Sequence, residues 1–387
     1  MTRVTPVRTA RGALALLAVA TAVPSIGAAQ RSTTPSAMST SAKRSEWLLV
    51  NTVEQGWDSN VRYLSTADAD YISQGRSALS VLHIRPRGRV AVRAAGALVR
   101  YRDLKDFNAF TYDLGLDGNR RFSAVVTGFA GVGYQKRLST DVVGLAGLPL
   151  LALSNQTTFS AATGIERRIS STTTGSVEFG YSSTTFDTPA LRPGNALTGK
   201  GQLRHLYGRR SAISLLTEVQ DGASQGIPLA AQGLSAGWEP SLGQAQAKFV
   251  AGATRISTGA AARVIATGAA QLSDSVGRGI LAAGVSRGVS QAFGIGQLLT
   301  NDVATLTYDF QARRGNFVTV AAALASSAPS AGAGTTFRSS SVTAGLRRVL
   351  RSGVTAGASA SYRQRKDIAV ASGLAANLAL GYTLGSR

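Results

Sequence analysis

Acyl or ester hydrolysis asks for an imidazole within reach of a nucleophile, or for two carboxylates held close together. Two histidines, His83 and His205, are present in 387 residues. Each stands just ahead of a short turn sequence, "RPRG" and "GRR", and His205 shares an apolar alternation with Leu203 and Tyr207. That spacing reads as a histidine at a membrane interface. Asp113 and Asp117 lie on one side of a single segment but four residues apart, too far along an extended chain to act as a pair. Glycines are plentiful, yet "GFAGVGYQ" (128–135) places them on a strand, and no P-loop, dinucleotide fingerprint or metal-ligand cluster is present in the sequence. Without cysteine there is no thiolate site, no disulfide and no cysteine-linked lipid anchor. The sequence therefore assigns no catalytic residue, no cofactor and no metal, and the chain does not read as an enzyme.

The chemistry that remains is charge placed at intervals of two. In "GVTAGASASYRQRK" (353–366), Val354, Ala356, Ala358, Ala360 and Tyr362 alternate with Thr355, Gly357, Ser359, Ser361 and Arg363. Period two is the signature of a strand, because successive side chains point to opposite faces. Elsewhere Phe110, Tyr112, Leu114 and Leu116 alternate with Thr111, Asp113, Gly115 and Asp117, and Leu306, Tyr308 and Phe310 with Thr305, Thr307 and Asp309. Bulky side chains supply a soluble core with roughly 1.5 to 3 kcal/mol each. A face made largely of alanine supports such a core poorly, but it suits a surface that lipid completes.

Arg93, Lys200, Arg204, Lys248, Arg263, Arg347 and Arg363, with Asp113, Asp117, Glu166, Glu178, Glu218 and Asp309, all take the polar parity of their segments. A cation at mid-depth on a lipid face costs roughly 2 to 4 kcal/mol. Several misplaced charges would exceed the usual net stability of a fold, roughly 5 to 15 kcal/mol. These thirteen are the candidate lumen-lining residues, seven cations against six acids. Arg100, Arg167, Arg255 and Arg287 have the outward parity, at segment ends where lipid headgroups can accept them.

About eighteen such segments run from Trp47 to the end, near 47–56, 78–85, 88–101, 107–118, 122–136, 156–168, 173–185, 196–207, 210–220, 228–239, 243–256, 259–272, 277–289, 299–312, 316–326, 336–349, 353–365 and 374–385. Connections after odd-numbered segments are mostly long, and those after even-numbered ones mostly short and rich in Gly, Pro, Asn, Asp or paired Arg. The predicted fold is all-β, a transmembrane up-and-down antiparallel barrel of about 18 strands, with 16 also compatible. Open strand edges in hydrocarbon would leave backbone groups unsatisfied, so the sheet must close. Trp47, Trp57, Tyr101, Tyr112, Tyr134, Phe186, Tyr207, Trp238 and Tyr362 fall near segment ends, where aromatic girdles sit.

Residues 1–29 read as a signal peptide: Arg3, Arg8 and Arg11 precede the apolar run Ala13 to Val23, and Gly27-Ala28-Ala29 precedes the cleavage point. The run is shorter than a spanning helix needs. Residues 30–45 read as a disordered periplasmic lead-in and 46–387 as the barrel. Removing the three leader arginines lowers the formal charge from +21 to +18. Such a charge would suit nucleic acid. Export and the grouping of arginines in turns argue against that partner and for outer-membrane lipid and lipopolysaccharide, reached with the help of the barrel-assembly machinery.

The stretch "LLVNTVEQGWDSNVRYL" (48–64), followed by "STADADY" and "ALSVLHIRPRGRVAVRAAGALVRYRD", carries the element Gly56-Trp57-Asp58-Ser59-Asn60. Over residues 46–122 it resembles the amino-terminal part of the outer-membrane β-barrel porin type 2 group, which is associated with exopolysaccharide loci. The resemblance implies an outer-membrane barrel involved in polysaccharide passage and carries over no catalytic residue. The end Tyr382-Thr383-Leu384-Gly385-Ser386-Arg387 departs from the terminal aromatic usual in such barrels.

The functional expectation is a porin-like channel for small hydrophilic solutes, with saccharide or exopolysaccharide as the sharper reading. A non-conducting structural or adhesive barrel acting through its external loops is the alternative. The apolar connection "LSTDVVGLAGLPLLALSN" (138–155) could narrow the channel or lie against membrane or neighbouring loops.

Overall fold

The computed structural model describes residues 44–61, 67–138, 154–189, 191–208, 210–224, 227–258, 261–292, 296–330, 336–350, 353–366 and 370–386. The expected signal peptide, most of the expected lead-in and nearly all of the 138–155 connection lie outside these residues.

Eighteen long strands form one sheet: β1 (Arg44–Asp58), β2 (Asp70–Arg85), β3 (Gly88–Tyr101), β4 (Ala109–Arg121), β5 (Val126–Leu138), β6 (Asn155–Arg168), β7 (Thr173–Phe186), β8 (Gly194–Leu206), β9 (Ala212–Ser224), β10 (Ile227–Glu239), β11 (Ala245–Thr258), β12 (Ala261–Val276), β13 (Gly279–Ala292), β14 (Gln297–Arg313), β15 (Asn316–Pro329), β16 (Phe337–Val349), β17 (Val354–Lys366) and β18 (Val370–Ser386). A two-residue strand, Ser241–Leu242, extends the β10–β11 hairpin. Every strand pairs antiparallel with its neighbours in sequence, and β18 pairs with β1 from Trp47↔Ser386 to Asp58↔Ala375. The barrel is therefore closed, as the period-two pattern required.

Strand edges differ from expectation in ways the pairing explains. β1 starts at Arg44, so the lead-in ends two residues sooner than 30–45 implied. β2 starts at Asp70, well before the expected 78, because Ser73 and Gln74 find partners opposite Gln55 and Glu54 on a longer β1. The long-then-short rhythm of connections holds through the first half, where 59–69, 102–108 and 187–193 are long. It fades afterwards, since only 225–226 and 259–260 separate β9 from β10 and β11 from β12. Two tight turns at the opposite end use Gly277 (φ 60) and Gly315 (φ 81), a left-handed backbone that other residues adopt at a cost.

The element 56–60 closes the seam. Asp58, buried, accepts a hydrogen bond from the Asn60 N–H at 3.0 Å and one from the Arg363 guanidinium. The Ser59 N–H donates to the Leu374 carbonyl at 2.9 Å, and its hydroxyl accepts from the Leu374 N–H at 2.7 Å. Asn60 Nδ2 donates to the Ser372 carbonyl at 3.0 Å. A Cβ on Gly56 would stand 1.9 Å from Asn377 Oδ1 and 3.1 Å from the Ala376 carbonyl, so any larger residue must turn the Asn377 side chain aside and press on the neighbouring strand. On the next hairpin, buried Asp70 gathers the N–H groups of Tyr71, Asp103 and Leu104 and pins the 102–108 connection.

One ladder is incomplete. β12 and β13 pair only from Gly268↔Arg287 to Val276↔Gly279, although β12 is paired with β11 as far as Ala261, and β13 with β14 as far as Ala292. Beyond Gly268 and Arg287 the two strands part. The upper ends of β13 and β14 then fold over: Leu298 is buried with Leu229, Ala231, Ile256 and Ile265, and Val289 packs on the same cluster. Gln291 Nε2 donates to the Leu229 carbonyl at 3.1 Å, reaching β10 from β13.

Candidate functional site: a charged barrel wall

Two residues opposite each other in a ladder share a face of the sheet, so the register can be followed from strand to strand around the barrel. Arg93 lies opposite Gly115, Glu178 opposite Lys200, Lys200 opposite Glu218, and Asp309 opposite Thr319. Traced in this way, all thirteen candidate residues share one face: Arg93, Asp113, Asp117, Glu166, Glu178, Lys200, Arg204, Glu218, Lys248, Arg263, Asp309, Arg347 and Arg363. The opposite face carries most of the exposed large apolar side chains, among them Leu203 (45% exposed), Leu234 (57%) and Val264 (66%).

Most of the thirteen are drawn into ion pairs and hydrogen bonds. Across β3–β5, Arg93 meets Asp117 at 2.7 Å and Arg137 meets Asp113 at 3.1 Å. Across β8–β11, Lys200 meets Glu218 at 3.3 Å, while Glu239 takes Arg204 at 2.7 Å and Lys248 at 3.6 Å. Where the barrel closes, Arg363 reaches Asp58 past β18. Arg347 lies 4.8 Å above the Phe317 ring, and Asp309 accepts the Thr319 hydroxyl at 2.5 Å. Glu166 stands opposite Thr127 and Ser176, and Arg263 opposite Ile256.

Three members of these groups were not among the sequence candidates: Asp58, Glu239 and Arg137. Asp58 and Arg137 sit just past segment ends drawn at 56 and 136, and Glu239 is the last residue of its segment. Parity continued by one or two residues would have found Asp58 and Arg137, and parity carried to the end of its own segment would have found Glu239. Two aromatics expected in the girdle take the other face. Tyr101 packs edge-on against buried Phe107 with centroids 5.6 Å apart, and Phe186 lies opposite Gln156, which in turn faces Arg137. Trp238 does sit on the apolar face, donating to the Tyr207 hydroxyl at 2.8 Å and stacking on Phe249.

Both histidines end their strands in local contacts. Arg85 Nε donates to His83 Nε2 at 3.1 Å, which leaves Nδ1 as the protonated nitrogen, and Nδ1 lies 2.7 Å from the Ser45 hydroxyl. In this tautomer Nδ1–H donates to Ser45 Oγ and cannot accept its proton. His205 Nδ1 lies 2.9 Å from the Thr173 hydroxyl. Arg287, expected at a strand end, lies five residues short of it because β13 runs on to Ala292. Asp302 directly opposite answers its charge at 3.7 Å.

No family model matches the chain, and no curated protein matches it. Among solved structures, the barrel is similar to Pseudomonas aeruginosa OccK2 (OpdF) in complex with glucuronate, at 12% identity, covering 89% of this chain and 98% of that one with a TM-score of 0.52. It is similar as well to P. aeruginosa OpdK with vanillate, at 12% identity, covering 88% of this chain and 99% of that one with a TM-score of 0.51. At this identity the likeness establishes the fold alone, a closed antiparallel β-barrel of eighteen long strands. The resemblance to the porin type 2 group finds no counterpart among these matches.

Proposed function

We propose that the protein is an outer-membrane channel for small hydrophilic solutes, with its charged face lining a water-filled lumen and its apolar face against lipid. The observation that carries this reading is the segregation fixed by the register: most of the ion pairs on one face of a closed sheet, most of the exposed Leu, Val, Phe and Trp on the other, with Arg287–Asp302 as a pair on the apolar side. Pairs such as Arg204–Glu239 and Arg363–Asp58 skip over an intervening strand. Such reach favours the concave side, where side chains converge. Barrels of 16 to 18 strands leave an aqueous passage.

The upper ends of β13 and β14, packed on Leu229, Ala231, Ile256 and Ile265 of that concave face, would form a narrow part of the passage. The glucuronate and vanillate complexes of the similar structures make small carboxylated solutes reasonable candidates beside neutral saccharides. Paired cations such as Arg93 and Arg204 could receive a carboxylate in place of their acids. Export by residues 1–29 and assembly in the outer membrane belong to the same reading.

Reconstitution in a planar bilayer tests it. Steady single-channel current, reduced by added glucuronate or a neutral sugar, is the expected outcome. Folded protein that carries no current would favour a structural or adhesive barrel.

A further inference from the structure

The apolar face is not evenly convex. A cavity of about 1500 Å³ runs along it, and its lining follows one row of directly paired residues, through Trp238, Phe249, Ala270, Val285, Ala304 and Leu324. The row begins at His205, near the turn-side end of β8, and ends at Gln364, near the opposite end of β17. It therefore crosses the wall diagonally from one rim to the other. Nine strand spacings separate its ends, roughly 43 Å. On strands tilted near 45°, that corresponds to a vertical span of about 30 Å, the thickness of the hydrocarbon layer. The cavity passes the point where the β12–β13 ladder stops, so the groove lies where the wall steps inward at Gly268 and Arg287.

A second row, two residues along each strand, gives the groove its charge. Arg287 lies opposite Asp302, Asp302 opposite Ser326, Ser326 opposite Arg338, and Arg338 opposite Lys366. All five line the cavity. Three cations and one acid share the row, and Arg338 and Lys366, both exposed, sit at the loop-side ends of β16 and β17. Cations at one rim above an apolar channel that descends toward the other rim match the two parts of a lipid.

We propose that this groove is a binding site for a membrane lipid with an anionic headgroup. The headgroup sits on Arg338 and Lys366, with Arg287 lower down, and an acyl chain lies over Leu324, Ala304, Val285 and Phe249. Four strand spacings separate Phe249 from Leu324, roughly 19 Å, about the length of a 16-carbon chain. The proposal rests on the reading that the apolar face meets lipid, and it adds a particular place and headgroup chemistry to that reading.

The test uses the full chain purified in detergent and titrated with phosphatidylglycerol or phosphatidylcholine, with bound lipid counted by native mass spectrometry. The wild type should retain phosphatidylglycerol at least several-fold better than phosphatidylcholine. R338S/K366S should lose that preference, R100S, on the same face of β3, should keep it, and A304F should lower retention of both lipids by filling the groove. Inorganic phosphate alone should not displace the lipid. An unchanged preference in R338S/K366S, or displacement by phosphate, overturns the site while leaving the membrane reading intact. A protein that stays folded and monomeric without detergent or lipid overturns both.

Discussion

Between β18 and β1 the ladder runs unbroken to Asp58↔Ala375, and there Asp58, Ser59 and Asn60 bind across to Arg363, Leu374 and Ser372. Between β12 and β13 it ends at Gly268↔Arg287, and the freed strand ends are held instead by apolar contacts to β10, β11 and β12, with one hydrogen bond from Gln291 to the Leu229 carbonyl. The two seams solve the same problem by different means. At the first, chain ends far apart in sequence must be joined, and a polar latch with one required geometry fixes which residues meet. At the second, sequence neighbours need no such specification, and the parted strand ends rest on the wall mainly through Leu298 and Val289. Polar latches specify alignment, whereas apolar packing tolerates a change of partner.

Disruption of the closing seam should have the largest effect. Gly56→Val forces a branched side chain into Asn377 and the Ala376 carbonyl and should cost on the order of 3 kcal/mol or more. Gly75→Val, one strand away with no atom within 4 Å of the added Cβ, should be almost silent. Heat-modifiable migration on gels reports the folded fraction of each, and equal loss in both would show that the seam is not special.

Leu298→Ala should cost about 3 kcal/mol, confined to the upper ends of β13 and β14. Hydrogen exchange should rise there and not at β1 or β18, with a larger single-channel conductance. Uniform loss of protection would make the two seams one cooperative unit. Asp58→Ala removes the acceptor of Arg363 and of the Asn60 N–H and should cost about 2 kcal/mol in urea unfolding. A change below about 0.5 kcal/mol, as at an ordinary surface pair, would demote the latch to a decoration of the loop.

Period two made the barrel legible in the sequence. The alternation at 353–366 and 107–118 fixes strand and face together, and the thirteen charges fall on one face because a one-residue error would move all of a strand's side chains at once. Strand ends were less legible. Asp58 and Arg137 were lost at segment ends placed where alternation weakens, although the ladder continues there as long as a partner strand is present. The departure of β13 left no local trace. Val285, Arg287, Val289 and Gln291 keep one parity without interruption, and the residues the parted strands pack on, Leu229 and Ile256, belong to β10 and β11, earlier in the chain.

The pairing of charges on the wall has a consequence for how an ion would experience it. Arg93, Lys200 and Arg363 each have an acid of their own within 4 Å, and Arg204 and Lys248 share Glu239, so much of the wall's charge is presented as short dipoles. The field of a dipole falls off faster with distance than that of a lone charge. In the proposed passage, a solute grazing the wall would meet alternating attraction and repulsion along its path.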